Sequence, residues 1–102
     1  MRLIRWTLRS RRDLQSIYDY ICADSPHVAE VVMHRLIDAS ERIADFPEHG
    51  REVPEYARPD VREVIVRPYR IVYRLVAADE VHILTVHHGA RLLLVPAPDP
   101  DE

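Results

Sequence analysis

The sequence predicts an α+β domain of the order β-α-α-β-β-β, a helical hairpin packed on a small antiparallel sheet. Three observations carry this. Between Ala29 and Phe46 apolar residues recur every three or four positions, three β-rich runs crowd into residues 61–88, and the opening "RLIRWTL" alternates apolar residues with arginines. A chain of 102 residues, 47% hydrophobic, builds one modest core. Residues 1–95 are therefore expected to form a single domain, followed by a flexible, acidic, proline-rich tail over 96–102, "PAPDPDE".

In "RLIRWTL" the alternation of Leu3, Ile4, Trp6 and Leu8 with arginines suits a short first strand with a solvated edge. A helix is expected from about Ser10 to Ala23. Leu14, Ile17, Tyr18 and Ile21 make its apolar face, Tyr20 sits at the rim, and Asp13 lies near the positive end of the helix dipole. "DSPHV" restarts the chain, with Ser25 as N-cap and Pro26 at the first helical position, where a missing N–H costs nothing. The second helix runs to about Asp45. Its stripe is Ala29, Val32, Leu36, Ala39, Ile43 and Phe46, and the short break between the helices implies an antiparallel hairpin.

Pro47 and Gly50 end that helix, and "EVPEYARPD", with two prolines and no periodicity, reads as a loop. "VREVIV", "YRIVYRLV" and "VHILTVHH" then form a meander, divided by Pro68 and by "AADE". In the middle strand Arg70, Val72, Arg74 and Val76 share one face, and Ile71, Tyr73 and Leu75 share the other. The helices should cover the second face. The arginine face is then open, and a ligand would sit there.

Charge is informative in its distribution. Residues 1–12 hold five arginines and no acid, whereas the whole chain has a net charge of −3. All fourteen basic residues are arginine, so no lysine can act as a general base. An acidic chain is a poor fit to life on a phosphate backbone. Cys22, between Ile21 and Ala23, reads as a small buried filler. The first residues are too charged for a signal peptide, and no apolar run approaches a membrane span, which together lead us to expect a cytoplasmic protein with no membrane association.

The stretch "TVHHGARLLL" is the most conspicuous candidate site. Adjacent strand residues point to opposite faces, so His87 and His88 cannot share a metal ion, while His82 and His88 share a side by parity but lie too far apart along the strand. No metal and no cofactor are expected. The bland reading has one histidine at the strand end, the other solvated, and Gly89 making a sharp bend.

"RRDLQSIYDYI", "DSPHVAE", "RIADFPEHGR", "VREVIVRPYRIVYRL" and "ILTVHHGAR", in that order, resemble the RelE/ParE superfamily of type II toxin–antitoxin toxins, closest to the ParE-like members. The resemblance spans roughly residues 1–91 and implies the same strand, hairpin and meander. It also implies one of two activities. ParE-like members bind DNA gyrase and have no chemistry of their own, and RelE-like members cleave mRNA on the ribosome. The ParE-like reading is preferred, with no catalytic centre. The alternatives are the ribosome-dependent endonuclease and an inactive binding member of the family.

For a nuclease, Arg70 matches the catalytic arginine of RelE-like toxins, His88 or Glu52 would exchange protons, and Arg91 would hold the phosphate. Against this, Arg70 can equally pair with Glu63 or Glu52 and hold the sheet face in shape. Target contacts are expected from Arg70, Arg74, Arg91 and Leu93. The resemblance further implies a cognate antitoxin whose C-terminal segment wraps the toxin. Its candidate contacts are Trp6, Tyr18, Met33 and Ile37, with Leu92, Leu93 and Leu94, since an apolar run ending in Val95 would be a liability if left uncovered.

Overall fold

The computed structural model describes residues 2–89. The expected elements follow in order: β1 (Leu3–Trp6), α1 (Leu8–Cys22), α2 (Pro26–Asp45), β2 (Arg51–Glu52), β3 (Val61–Val66), β4 (Tyr69–Ala77) and β5 (Glu80–His88). β2 is an addition to the expected set. It is two residues taken from the end of the "EHGRE" stretch and paired antiparallel with Glu63 and Arg62. The sheet order is β1-β5-β4-β3-β2. It is a mixed sheet, because the hairpin carries the chain back across it and lays β1 parallel to β5 at the far edge, Leu3 opposite Glu80 and Trp6 opposite Ile83.

Local chemistry sets the helix ends. α1 starts two residues before Ser10 because Thr7 is its cap: the Thr7 hydroxyl oxygen accepts from the Ser10 N–H at 3.1 Å and its hydroxyl reaches the Ile83 carbonyl at 2.9 Å, fastening the helix to β5. α2 begins as its sequence dictates, with the Ser25 hydroxyl accepting from the Val28 N–H and Pro26 following. Asp13 acts through β5 more than through the dipole. β1 reaches only Ile83, and beyond it the Asp13 carboxylate accepts from the Val86 N–H at 3.1 Å and from the Thr85 hydroxyl, closing the strand edge.

Leu36, Ala39 and Ile43 of α2 pack on Ile71, Tyr73, Val81, Ile83 and Val86 of the sheet, with Leu14 and Ile17 of α1 alongside. The stripe fails at one position. Phe46 is 57% exposed and stacks on His49, because α2 stops at Asp45 and Phe46 leaves the helical path as its C-cap. Cys22 is half-buried rather than buried. Tyr73 runs from the core to the end of α2, donating to the Pro47 carbonyl at 2.5 Å and accepting from the Gly50 N–H at 3.1 Å. A Cβ at Gly50 would collide with the Tyr73 ring and come within 2.9 Å of the Glu63 carbonyl, so this approach requires glycine.

The face expected to be open is roofed. Val53, Val61, Val72 and Leu84 form a second buried cluster with Tyr56 over it, and the loop between β2 and β3 supplies Val53 and Tyr56. Leu84 joins that cluster through a register shift. Val72 pairs with Thr85 but Tyr73 pairs with Ile83, so Leu84 is an extra residue in β5. Strand parity therefore reverses there. His82 stands across from Arg74 and His88 across from Tyr69, on opposite faces of the sheet and not on one side as strict alternation predicts.

Candidate functional site

Arg70 is the centre of the roofed face. Its backbone pairs with Ile65 on β3 and His87 on β5, and its side chain crosses diagonally to Glu63. Arg70 Nε donates to Glu63 Oε1 at 2.7 Å, while Nη1 and Nη2 donate to the two oxygens of Glu55 at 3.2 and 3.1 Å. The second pair is the bidentate fork that guanidinium and carboxylate form best. Glu63 is fully buried at its side chain and also accepts from Arg51 Nε. The four residues hold two positive and two negative charges.

Each carboxylate reaches the arginine from a different element. Glu63 stands on β3 and cannot move without the sheet, while Glu55 comes from the covering loop and keeps a 29% exposed side chain. The hydrogen bonds from Arg70 hold the Glu55 carboxyl below the ordinary glutamate range. Glu55, and after it Glu63, raise the Arg70 pKa against the opposing pull of burial. Burial pushes the Tyr56 hydroxyl up, with the charge of Glu55 adding to it. A second ion-pair group lies at the other end of the face. Asp60 is held low mainly by Arg58, at 2.7 Å, and Arg74 Nε approaches it at 3.5 Å.

The other candidates fall in separate places. Glu52 is exposed on β2, and the loop carboxylate that meets Arg70 is Glu55. His87 lies across from Arg70, whereas His88 packs edge-on against the Tyr69 ring with centroids 5.8 Å apart. Gly89 makes no left-handed bend. Its N–H donates to the Pro68 carbonyl at 2.7 Å and prolongs the hairpin. Arg91, Leu92, Leu93 and Leu94, together with the tail over 96–102, lie outside the described residues. Trp6 and Met33 are half-buried against the core, Tyr18 is half-buried on α1, and Ile37 is 45% exposed on α2. The hydrogen bond with Cys22 raises the Tyr18 pKa. Tyr20 stands in solvent at 83% exposure.

Glu55, Arg51, Asp60 and Tyr56 are not among the site residues that the sequence predicts. One signal was available. "EVPEYARPD" puts a valine and a tyrosine among charges in a segment with neither helical nor strand period, the composition of a loop that covers something.

A family model described as the ParE toxin of type II toxin–antitoxin system, parDE, matches residues 4–93. The chain belongs to the ParE toxin family. It is similar to Toxin RelE2 of Caulobacter vibrioides, 38% identical over 92 residues that cover 90% of this chain and all of the relative. The Y4kP protein of Sinorhizobium fredii is 40% identical over 88 residues, covering 84% of this chain and 86% of that protein. A solved structure titled as the chromosomal ParDE TA system from P. aeruginosa has the same fold, with a TM-score of 0.70 and 23% identity over 86% of this chain and 96% of that one. Membership of the ParE family makes the chain a toxin of a type II module and implies a cognate antitoxin. Among the described residues no helix is long and apolar enough to cross a membrane, and no three His, Cys, Asp or Glu side chains gather as a metal site would require.

Proposed function

We propose that this ParE-family toxin arrests growth in the cytoplasm by binding DNA gyrase, that it carries no catalytic centre, and that its antitoxin neutralises it. One observation carries the choice. A nuclease needs a cation turned toward the phosphate, and Arg70, the residue matched to that role, is 8% exposed with its fork filled by Glu55 and Glu63. With two acids and two arginines in contact, the cluster offers no net positive charge to a substrate.

The runner-up is a ribosome-dependent endonuclease. Two observations favour it, the name of the RelE2 relative and the place of His87 across from Arg70. Histidine variants separate the readings, because Arg70→Ala leaves the buried Glu63 with Arg51 alone and takes the partner from Glu55, so a loss of toxicity there does not distinguish lost chemistry from lost stability. His87→Ala and His88→Ala should each keep most of the toxicity when expressed without antitoxin. Loss of toxicity in either variant, with folding and antitoxin binding intact, favours the nuclease.

A further inference from the structure

We propose that the exposed face of the first two turns of α1, with Arg5 beside it on β1, is an interface for the phosphate backbone of duplex DNA. The inference deepens the gyrase reading above, because DNA is the molecule that gyrase holds. Arg2, Arg5, Arg9, Arg11 and Arg12 open the chain with no acid among them. Arg2 is spent on structure, since its guanidinium donates to the Ala78, Ala44 and Asp45 carbonyls. The other four are exposed.

At 3.6 residues per turn, Arg11, Leu8, Arg12 and Arg9 follow one another around α1 over an arc of about 160°. The buried Ser10 and the core-facing Leu14 and Ile17 lie on the other side. The side chains of Arg5 and Arg9 stand 68% and 56% in solvent. Each touches one carboxylate, Glu80 at 3.4 Å and Asp13 at 3.3 Å, but neither carboxylate is theirs alone. Glu80 also meets His82, and Asp13 also accepts from the Thr85 hydroxyl and the Val86 N–H. Among the described residues neither Arg11 nor Arg12 belongs to an ion pair. Asp19, the next acid on this face, lies two turns on and accepts from the Gln15 amide at 2.8 Å. The chain's net charge of −3 therefore does not describe this end of it.

Folding does not call for these arginines. The first turn of α1 has no acid, although the positive end of a helix dipole favours acids and disfavours cations. Arg9 and Arg12, three positions apart, also repel each other. A ligand with negative charge reverses both costs. The guanidinium fork pairs bidentately with phosphate oxygens. Among residues 2–15 no aromatic side chain is exposed, so a splayed base has nothing to stack on, and a convex helix face suits the backbone of a duplex better than single-stranded RNA.

The test titrates full-length toxin, without gyrase, onto a labelled random-sequence DNA duplex and onto a single-stranded RNA of equal length, at several salt concentrations. Gyrase supercoiling is assayed separately. The unaltered chain should bind the duplex with a slope of log K against log salt of about −3 to −4, as four phosphate contacts imply. Arg11→Glu and Arg12→Glu should each weaken duplex binding about five-fold and flatten the slope by about one. Their Tm should be equal or higher, because each puts an acid near the positive end of α1. Arg42→Glu and Arg67→Glu, exposed elsewhere and equal in charge change, should alter binding less than about two-fold. Equal weakening by all four variants, a lower Tm in the α1 variants, or tighter binding to the RNA than to the duplex overturns the inference. So does an absence of duplex binding while the α1 variants still weaken gyrase inhibition, which assigns the face to an acidic protein surface and leaves the gyrase reading standing. Duplex binding as expected, with supercoiling untouched by toxin, supports the interface and overturns the gyrase reading alone.

Discussion

Glu63 shows how one side chain can fix the meaning of another. It is 1% exposed, lies on a central stretch of β3 and takes hydrogen bonds from both Arg70 and Arg51. A buried charge that loses its partner is expensive, whereas an exposed pair contributes little. Glu63→Ala should therefore cost about 3–5 kcal/mol in urea unfolding, because Arg70 keeps its charge with its strand partner gone. Glu55→Ala, at the solvent side, should cost below about 1 kcal/mol. Equal losses would mean that the loop contact holds the face as strongly as the strand contact does. The same arrangement sets a pH dependence. Folded-state pKa values of Glu55 and Asp60 are lowered, so their contribution is complete above the unfolded carboxylate values near about 4 and is lost as pH falls through the folded ones. Stability measured below about pH 4.5 should consequently fall less steeply in Glu55→Gln than in the unaltered chain.

At the scale of elements, α2 was legible because three independent signals agree on it: the Ser25 cap, Pro26 at the first position, and a stripe of which Ala29, Leu36, Ala39 and Ile43 are fully buried. Leu36→Ala should destabilise by about 2–5 kcal/mol, and a loss below about 1 kcal/mol in thermal or urea unfolding would mean that the stripe faces something other than the core. Phe46 continues the stripe in sequence but not in space, since periodicity carries no information about where a helix stops. The β3–β5 meander was equally legible from its runs and breaks. Two features of it were not. The bulge at Leu84 leaves a strand-like pattern intact while reversing which face its later residues occupy. The loop over the arginine face has no period to detect, and its covering role depends on contacts between Tyr56, Val53 and strands far away in sequence. The sequence marks Arg70 as a candidate and is compatible with its pairing to Glu63 or to Glu52. Only the placement of Glu55 shows how fully its fork is occupied.

For the whole molecule, family membership settles more than geometry does. A ParE-family toxin expressed alone should arrest bacterial growth, and co-expression with the adjacent small open reading frame should restore it. The proposed arrest comes from binding and not from chemistry, and the decisive measurement puts both targets in one reaction. Purified toxin is titrated into a system containing gyrase with relaxed plasmid and ribosomes translating a defined mRNA, and supercoiling and mRNA 5′ ends are followed together. With gyrase as the target, supercoiling stops once toxin matches gyrase in amount while the mRNA stays whole. Cleavage of the mRNA by toxin far below the ribosome concentration, with supercoiling unaffected at saturating toxin, would contradict it.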